Sequence, residues 1–238
     1  TFHSKLKLSD IIPVFKKNSK TSKENYTAIS ILSKFWKVYE RCLYNQIELF
    51  FTNILSKYQS GFRKGYSSQH CLIRMIEKWK ESYDNNGAFG ALLTDLSKVF
   101  DCLSHELLIA KLDAYGFDKC SLKLMYSYLA ERYQRVKIRD TYSTWKEIKY
   151  GVPQGSILGP LLFNIFICDA FYFLSNSEIA NYADDTTIYS AKETSDMVIC
   201  ELQKSSIILF KWFNDNYMKV NSDKSHLLML ENKTEGFV

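Results

Sequence analysis

Asp184 and Asp185 stand side by side inside an apolar, strand-like stretch, Ile179-Ala180-Asn181-Tyr182-Ala183-Asp184-Asp185-Thr186-Thr187-Ile188-Tyr189. Adjacent carboxylates repel each other and are costly near a core. Turns favour Asp, so an exposed turn accounts for the pair by itself. Asp95 changes the balance. It ends the short apolar run Gly90-Ala91-Leu92-Leu93-Thr94, where a buried strand puts a carboxylate at its tip. Two such tips on neighbouring strands would present Asp95, Asp184 and Asp185 to one point. Hard divalent cations take carboxylate oxygens and leave their other positions to water and phosphate. Two ions about 4 Å apart activate an attacking hydroxyl and stabilise a leaving pyrophosphate. The charge of a nucleoside triphosphate calls for such ions.

A second segment bears on ligand binding: Gly151-Val152-Pro153-Gln154-Gly155-Ser156-Ile157-Leu158-Gly159-Pro160. Glycines on both sides of a polar residue let the backbone come close to a ligand. A plain loop-to-helix joint explains the same Gly and Pro equally well.

These residues need a scaffold. The pattern predicts a strand over 8–15, followed by the basic turn Lys16-Lys17-Asn18-Ser19-Lys20. Leu32, Phe35, Trp36, Tyr39, Leu43 and Ile47 recur at helical spacing and predict a helix over 31–55. Further helices are expected over 67–83, from the Ser104 cap to about Gly116, over 121–131, and over 195–216. A strand is expected over 90–96, a hairpin over 135–139 and 144–150, and two short strands around Asp184-Asp185. A last strand is expected over 224–230. The apolar run 157–174 contains Pro160, Asn164 and Asp169, so it reads as a buried helix rather than a membrane span. Irregular alternation of strands and helices indicates α+β.

The chain has 238 residues, 46% of them apolar, enough for one large domain or two subdomains sharing a sheet. A net charge of +5 suits a nucleic-acid partner without demanding one. The six cysteines form no CxxC pair and lie mostly in apolar stretches, so they are expected to be reduced, buried thiols in a protein that is not secreted.

Taken together, the segments resemble the reverse transcriptase domain of non-LTR retrotransposons, of the jockey-like type. Residues 26–47 resemble a fingers segment, and Gln59-Ser60-Gly61-Phe62-Arg63-Lys64-Gly65 resembles the next fingers motif. Leu93-Thr94-Asp95-Leu96-Ser97-Lys98-Val99-Phe100-Asp101 resembles the first catalytic palm motif. The 151–164 segment, Tyr182-Ala183-Asp184-Asp185 and 212–224 resemble those that follow. The resemblance implies an α+β right-hand polymerase fold of fingers and palm, its antiparallel palm sheet backed by helices that include 104–115 and 195–216, with the thumb missing or truncated. In motif order, 1–88 would be part of the fingers, 89–117 palm with the first catalytic motif, 118–150 a fingers/palm connection, and 151–238 the rest of the palm.

It also implies roles. Asp95, Asp184 and Asp185 would be catalytic and, with the Leu96 carbonyl, would hold two Mg²⁺ ions, for which Mn²⁺ could substitute. Phe100 would block a ribose 2′-hydroxyl, with ordinary core packing as the alternative. Gln154 and Gly155 would contact the incoming nucleotide, and Lys224 would approach its triphosphate. Tyr182 would lie near the primer end. Arg63, Lys64, Lys16 and Lys17 are candidates for template or phosphate contact, which supplies affinity rather than sequence choice. The implied partners are an RNA template, a DNA primer and dNTP, with no membrane, in the nucleus or cytoplasm.

One departure from the family pattern bears on activity. After Asn25-Tyr26 such enzymes usually carry Arg-Pro, and this chain carries Thr27-Ala28. That leaves a second reading: a catalytically inactive remnant that folds and binds nucleic acid.

Overall fold

The structure is a computed structural model that describes residues 2–174 and 177–231. In chain order the elements are β1 (Leu8–Phe15), β2 (Tyr26–Ile31), α1 (Lys34–Phe51), α2 (Ser68–Asp84), β3 (Ala88–Leu96), α3 (Val99–Cys102), α4 (His105–Ala114) and α5 (Lys119–Leu129). They continue with β4 (Arg132–Ile138), β5 (Thr141–Tyr142), β6 (Lys146–Ile148), α6 (Leu158–Ile167), β7 (Glu178–Tyr182), β8 (Asp185–Lys192), α7 (Ser195–Asp215) and β9 (Val220–Glu231). Two compact units form: residues 1–52 with 98–166, and 53–97 with 167–238. The four spans read from the motifs follow motif order, whereas these two units follow contacts.

Helix starts follow capping chemistry. Ser33 accepts from the Trp36 amide, Ser104 from Leu107, Asp118 from Cys120 and Ser121, and Thr194 from Met197. The first of these corrects the sequence reading. The helix expected from residue 31 begins after the Ser33 cap, and Tyr26–Ile31 is a strand antiparallel to β1. Its Tyr, Thr and Ile residues suit a ladder, and the helical apolar stripe starts only with Phe35 and Trp36, after the Ser33 cap. The expected hairpin over 135–150 is broken into β4, β5 and β6, with β4 pairing both others. The apolar run from residue 158 is α-helical to Ile167 and 3₁₀ over Cys168–Phe173. Among the described residues, no helix is long and apolar enough to cross a membrane.

In the first unit the sheet order is β2-β1-β4-β5, with β6 also on β4. Trp36, Leu43, Ile47 and Phe51 of α1 are buried at spacings of seven, four and four, and Phe2, Trp36 and Tyr128 form a ring cluster. The second unit is a four-stranded antiparallel sheet in the order β7-β8-β3-β9. Alternation along β3 sends Phe89 and Ala91 to one face, where they meet Tyr189 of β8 and Cys71 of α2. Gly90 points to the other face. A Cβ there would lie 2.5 Å from Val198 and 3.0 Å from Leu202, so α7 presses directly on the strand. The sheet is therefore covered by α2 on one face and α7 on the other. The sequence reading paired 195–216 with 104–115 as backing helices. Residues His105–Ala114 form α4, which packs on α5 within the first unit.

Candidate active site

Asp95 shares the Phe89 and Ala91 face of β3, because odd positions alternate to one side. It lies past the stretch that α2 covers, next to Leu93, which is 39% exposed. β8 runs antiparallel to β3 with Asp185 opposite Asp95 and Thr186 opposite Thr94. Directly opposed residues project to the same face, so two carboxylates far apart in sequence become neighbours. Asp184 sits in the two-residue turn between Tyr182 and Asp185, which pair with each other.

Ala183, the first residue of that turn, has φ of 59°. A left-handed residue suits a tight hairpin turn but costs a non-glycine residue about 1–2 kcal/mol.

On the other side of β3, the pairing with β9 jumps from Leu93–His226 to Asp95–Asn221. At this bulge four residues of β9 stand against one of β3, among them Lys224, whose Nζ donates to Asp95 Oδ2 at 2.9 Å. Asn221 Nδ2 lies 3.3 Å from the same oxygen. Burial, then the neighbouring Asp184 and Asp95, push the Asp185 carboxyl above its ordinary range, while Lys224 opposes them. The hydrogen bond to Asp95 is the main cause that holds the Lys224 ammonium above its ordinary value.

The donors are all hard oxygens, and their mutual repulsion is what a divalent cation relieves, so the residues fit the chemistry of such ions. Among the described residues, no three Asp, Glu, His or Cys side chains are gathered tightly enough to hold an ion as they stand. The cation present at Asp95 is the Lys224 ammonium. The Leu96 backbone is buried beside the pair, opposite Val220.

Of the other expected residues in this unit, Tyr182 is 40% exposed at the hairpin and Lys64 is exposed. Arg63 is occupied internally. Its Nη1 donates to the Ser56 and Gln59 carbonyls at 2.9 and 3.1 Å, and its guanidinium lies 4.3 Å from the Tyr66 ring centroid.

In the first unit, Phe100 and Gln154 line one cavity of about 450 Å³ with Ile11, Ser30, Asp101 and Gln134. The 151–157 segment is tied at several points. Gly151 N donates to Leu103 O, Val152 N to Phe100 O, and Ser30 N to Gln154 O, at 2.7–2.9 Å. A Cβ on Gly151 would lie 2.4 Å from Phe100 O, so glycine is required there. Gly155 also has positive φ, at 100°. Lys16 and Lys17 are exposed in the turn after β1, and neither lines this cavity.

The model of the reverse transcriptase (RNA-dependent DNA polymerase) family matches residues 15–237. The chain belongs to that family. This reverse transcriptase chain is 30% identical to the probable RNA-directed DNA polymerase from transposon BS of Drosophila melanogaster, over 94% of its own length and 26% of that protein's. It is 29% identical to the RNA-directed DNA polymerase from mobile element jockey of the same organism, over 90% of its length and 24% of that protein's. It thus spans about a quarter of the curated relatives it matches. Its fold resembles that of apo telomerase from Candida tropicalis truncated from the C-terminal domain, with a TM-score of 0.68 at 14% identity, over 98% of this chain and 52% of the other. This agrees with the expected fingers–palm fold.

Four residues of this reverse transcriptase bear on the two groups and were not read from the sequence. Asn221 touches Asp95. Fully buried Glu40 accepts from Tyr128 Oη at 2.6 Å and from Ile157 N at 2.9 Å. His105 Nε2 lies 2.7 Å from the Gly151 carbonyl. Asn181 is fully buried beside the Asp184 turn. Two left a signal: Glu40 breaks the apolar stripe of α1, and Asn181 breaks an apolar strand. His105 and Asn221 left none.

Proposed function

We propose that this chain carries out RNA-templated DNA synthesis, joining a dNTP to a primer 3′-hydroxyl. The observation that carries the reading is Asp95 directly opposite Asp185 at the sheet tip, with Asp184 in the adjoining turn. Asp95 and Asp184 would be the principal ligands of two Mg²⁺ ions, with Asp185 as accessory and the Leu96 carbonyl completing one site. When bound, the ions activate the attacking hydroxyl and stabilise the pyrophosphate. Lys224 would exchange its bond to Asp95 for the triphosphate and deliver a proton to the leaving group. Phe100 excludes a 2′-hydroxyl by its bulk, and Gln154 and Gly155 contact the nucleotide and template. Tyr182 supports the primer end. Lys64, Lys16 and Lys17 meet template phosphates, while Arg63 serves mainly to brace its own loop. The work belongs in the nucleus or cytoplasm, where the template is found.

The test is Mg²⁺-dependent primer extension on an RNA template, with Asp95→Ala as control. Extension that persists unchanged in the control, or needs no divalent ion, overturns the reading.

Thr27 favours a second reading, a non-catalytic nucleic-acid binder. It sits in β2 opposite Val14, where the family pattern places an arginine to grip the triphosphate. Asp184→Asn separates the two: an enzyme loses extension, whereas a binder keeps its affinity and never extended.

A further inference from the structure

We propose that Gln59, Gly61 and Asn181 are positioning residues that hold the Asp184–Asp185 turn in a strained, metal-ready conformation; the proposal rests on the polymerase reading above. The turn has reason to relax, since Ala183 is left-handed without being glycine. Two separate segments prevent it. From within the hairpin, Asn181 Nδ2 reaches the Ala183 carbonyl at 3.0 Å, the Asp185 carbonyl at 3.2 Å and Thr186 Oγ1 at 3.0 Å. One buried amide thus contacts both sides of Asp184.

From outside, residues 58–61 run alongside β7 as an added parallel rung. Asn181 N donates to Tyr58 O at 3.0 Å, Ser60 N donates to Asn181 O at 2.8 Å, and Gln59 bridges Asn181. Gly61 then lies under the turn. A Cβ there would fall 2.0 Å from Ala183 N and 2.7 Å from Ala183 Cα, both backbone atoms that cannot swing aside. The rung is itself fixed: Gln59 is fully buried and its Oε1 accepts from Ser56 N, while Arg63 ties the Ser56 and Gln59 carbonyls. A two-residue hairpin does not need such bracing to close. Carboxylates that must hold ions do, because small misplacements cost affinity and rate.

The test compares the intact chain with Asn181→Leu, Gly61→Ala and, as a neighbour control, Ser60→Ala. Mn²⁺ affinity by electron paramagnetic resonance and hydrogen exchange of the 182–186 amides are read beside primer extension. Asn181→Leu and Gly61→Ala should weaken Mn²⁺ binding on the order of 10- to 100-fold. They should also speed exchange of the turn and lower kcat with little change in the KM for dNTP, while Ser60→Ala behaves as wild type. If either folded variant matches wild type in Mn²⁺ affinity and exchange, the positioning role is overturned. If both unfold, Asn181→Ser carries the same prediction, since its single hydroxyl cannot span three acceptors. If wild type shows no Mn²⁺ binding that Asp184→Asn removes, the metal-site reading itself fails and this proposal falls with it.

Discussion

Asp95 on β3 and Asp185 on β8 face each other directly across an antiparallel ladder, ninety positions apart in the chain. Such opposition costs energy unless a cation lies between the groups, and Lys224 meets only part of that need. Asp95→Asn and Asp184→Asn should each lower Mg²⁺-dependent extension by about 10²-fold or more while leaving the circular dichroism spectrum unchanged. A folded variant retaining most of the wild-type rate would remove that residue from the reaction.

Asp185 should show itself in metal-free stability. Its folded carboxyl titrates above the unfolded one, chiefly because of burial and then because of Asp184 and Asp95. Between those two values the folded state binds more protons, so stability falls as pH rises through the window and the cost persists at neutral pH. Asp185→Asn should therefore raise the thermal midpoint near neutral pH without metal. It should do nothing in acid below the ordinary carboxylate range, and it should lose its advantage when Mg²⁺ is added. Differential scanning calorimetry across pH checks all three.

His105 should act in the opposite pH direction. Burial is the main cause that lowers its folded titration point, opposed by the bond to the Gly151 carbonyl and assisted by Arg132. The unfolded state then binds more protons below the ordinary histidine value, so stability is lost as pH falls from about 6.5. A urea-unfolding series from neutral to mildly acid pH should show that slope, and His105→Gln should flatten it. An unchanged slope would mean that another group titrates.

Phe100 lines the cavity it shares with Gln154, and its ring lies 5.8 Å from that of Phe163. If it walls off a 2′-hydroxyl, Phe100→Val should raise incorporation of rNTP relative to dNTP by about 10- to 100-fold. A variant that loses stability and leaves the ratio alone would mark Phe100 as packing only.

Much of this molecule could be read locally. Ser104 before an apolar stripe, the periodic run over 195–216 and the strand alternation around residue 185 all act within a few residues, so helix, strand and cap signals survive in the linear chain. The order of the motifs likewise pointed to the family that the residues 15–237 match bears out. Where two local signals competed, as at 26–33, the apolar stripe was extended into a segment that pairs with β1 instead. The fold decided what depends on register and distant packing. The opposition of Asp95 and Asp185, the β9 bulge that brings Lys224 to Asp95, and the rung from Tyr58 to Gly61 beneath Ala183 all join residues that no local preference links. Register is chosen by seating the Phe89 and Ala91 face under α2 and the Gly90 face against α7 at once, and that choice exists only when the whole sheet is assembled.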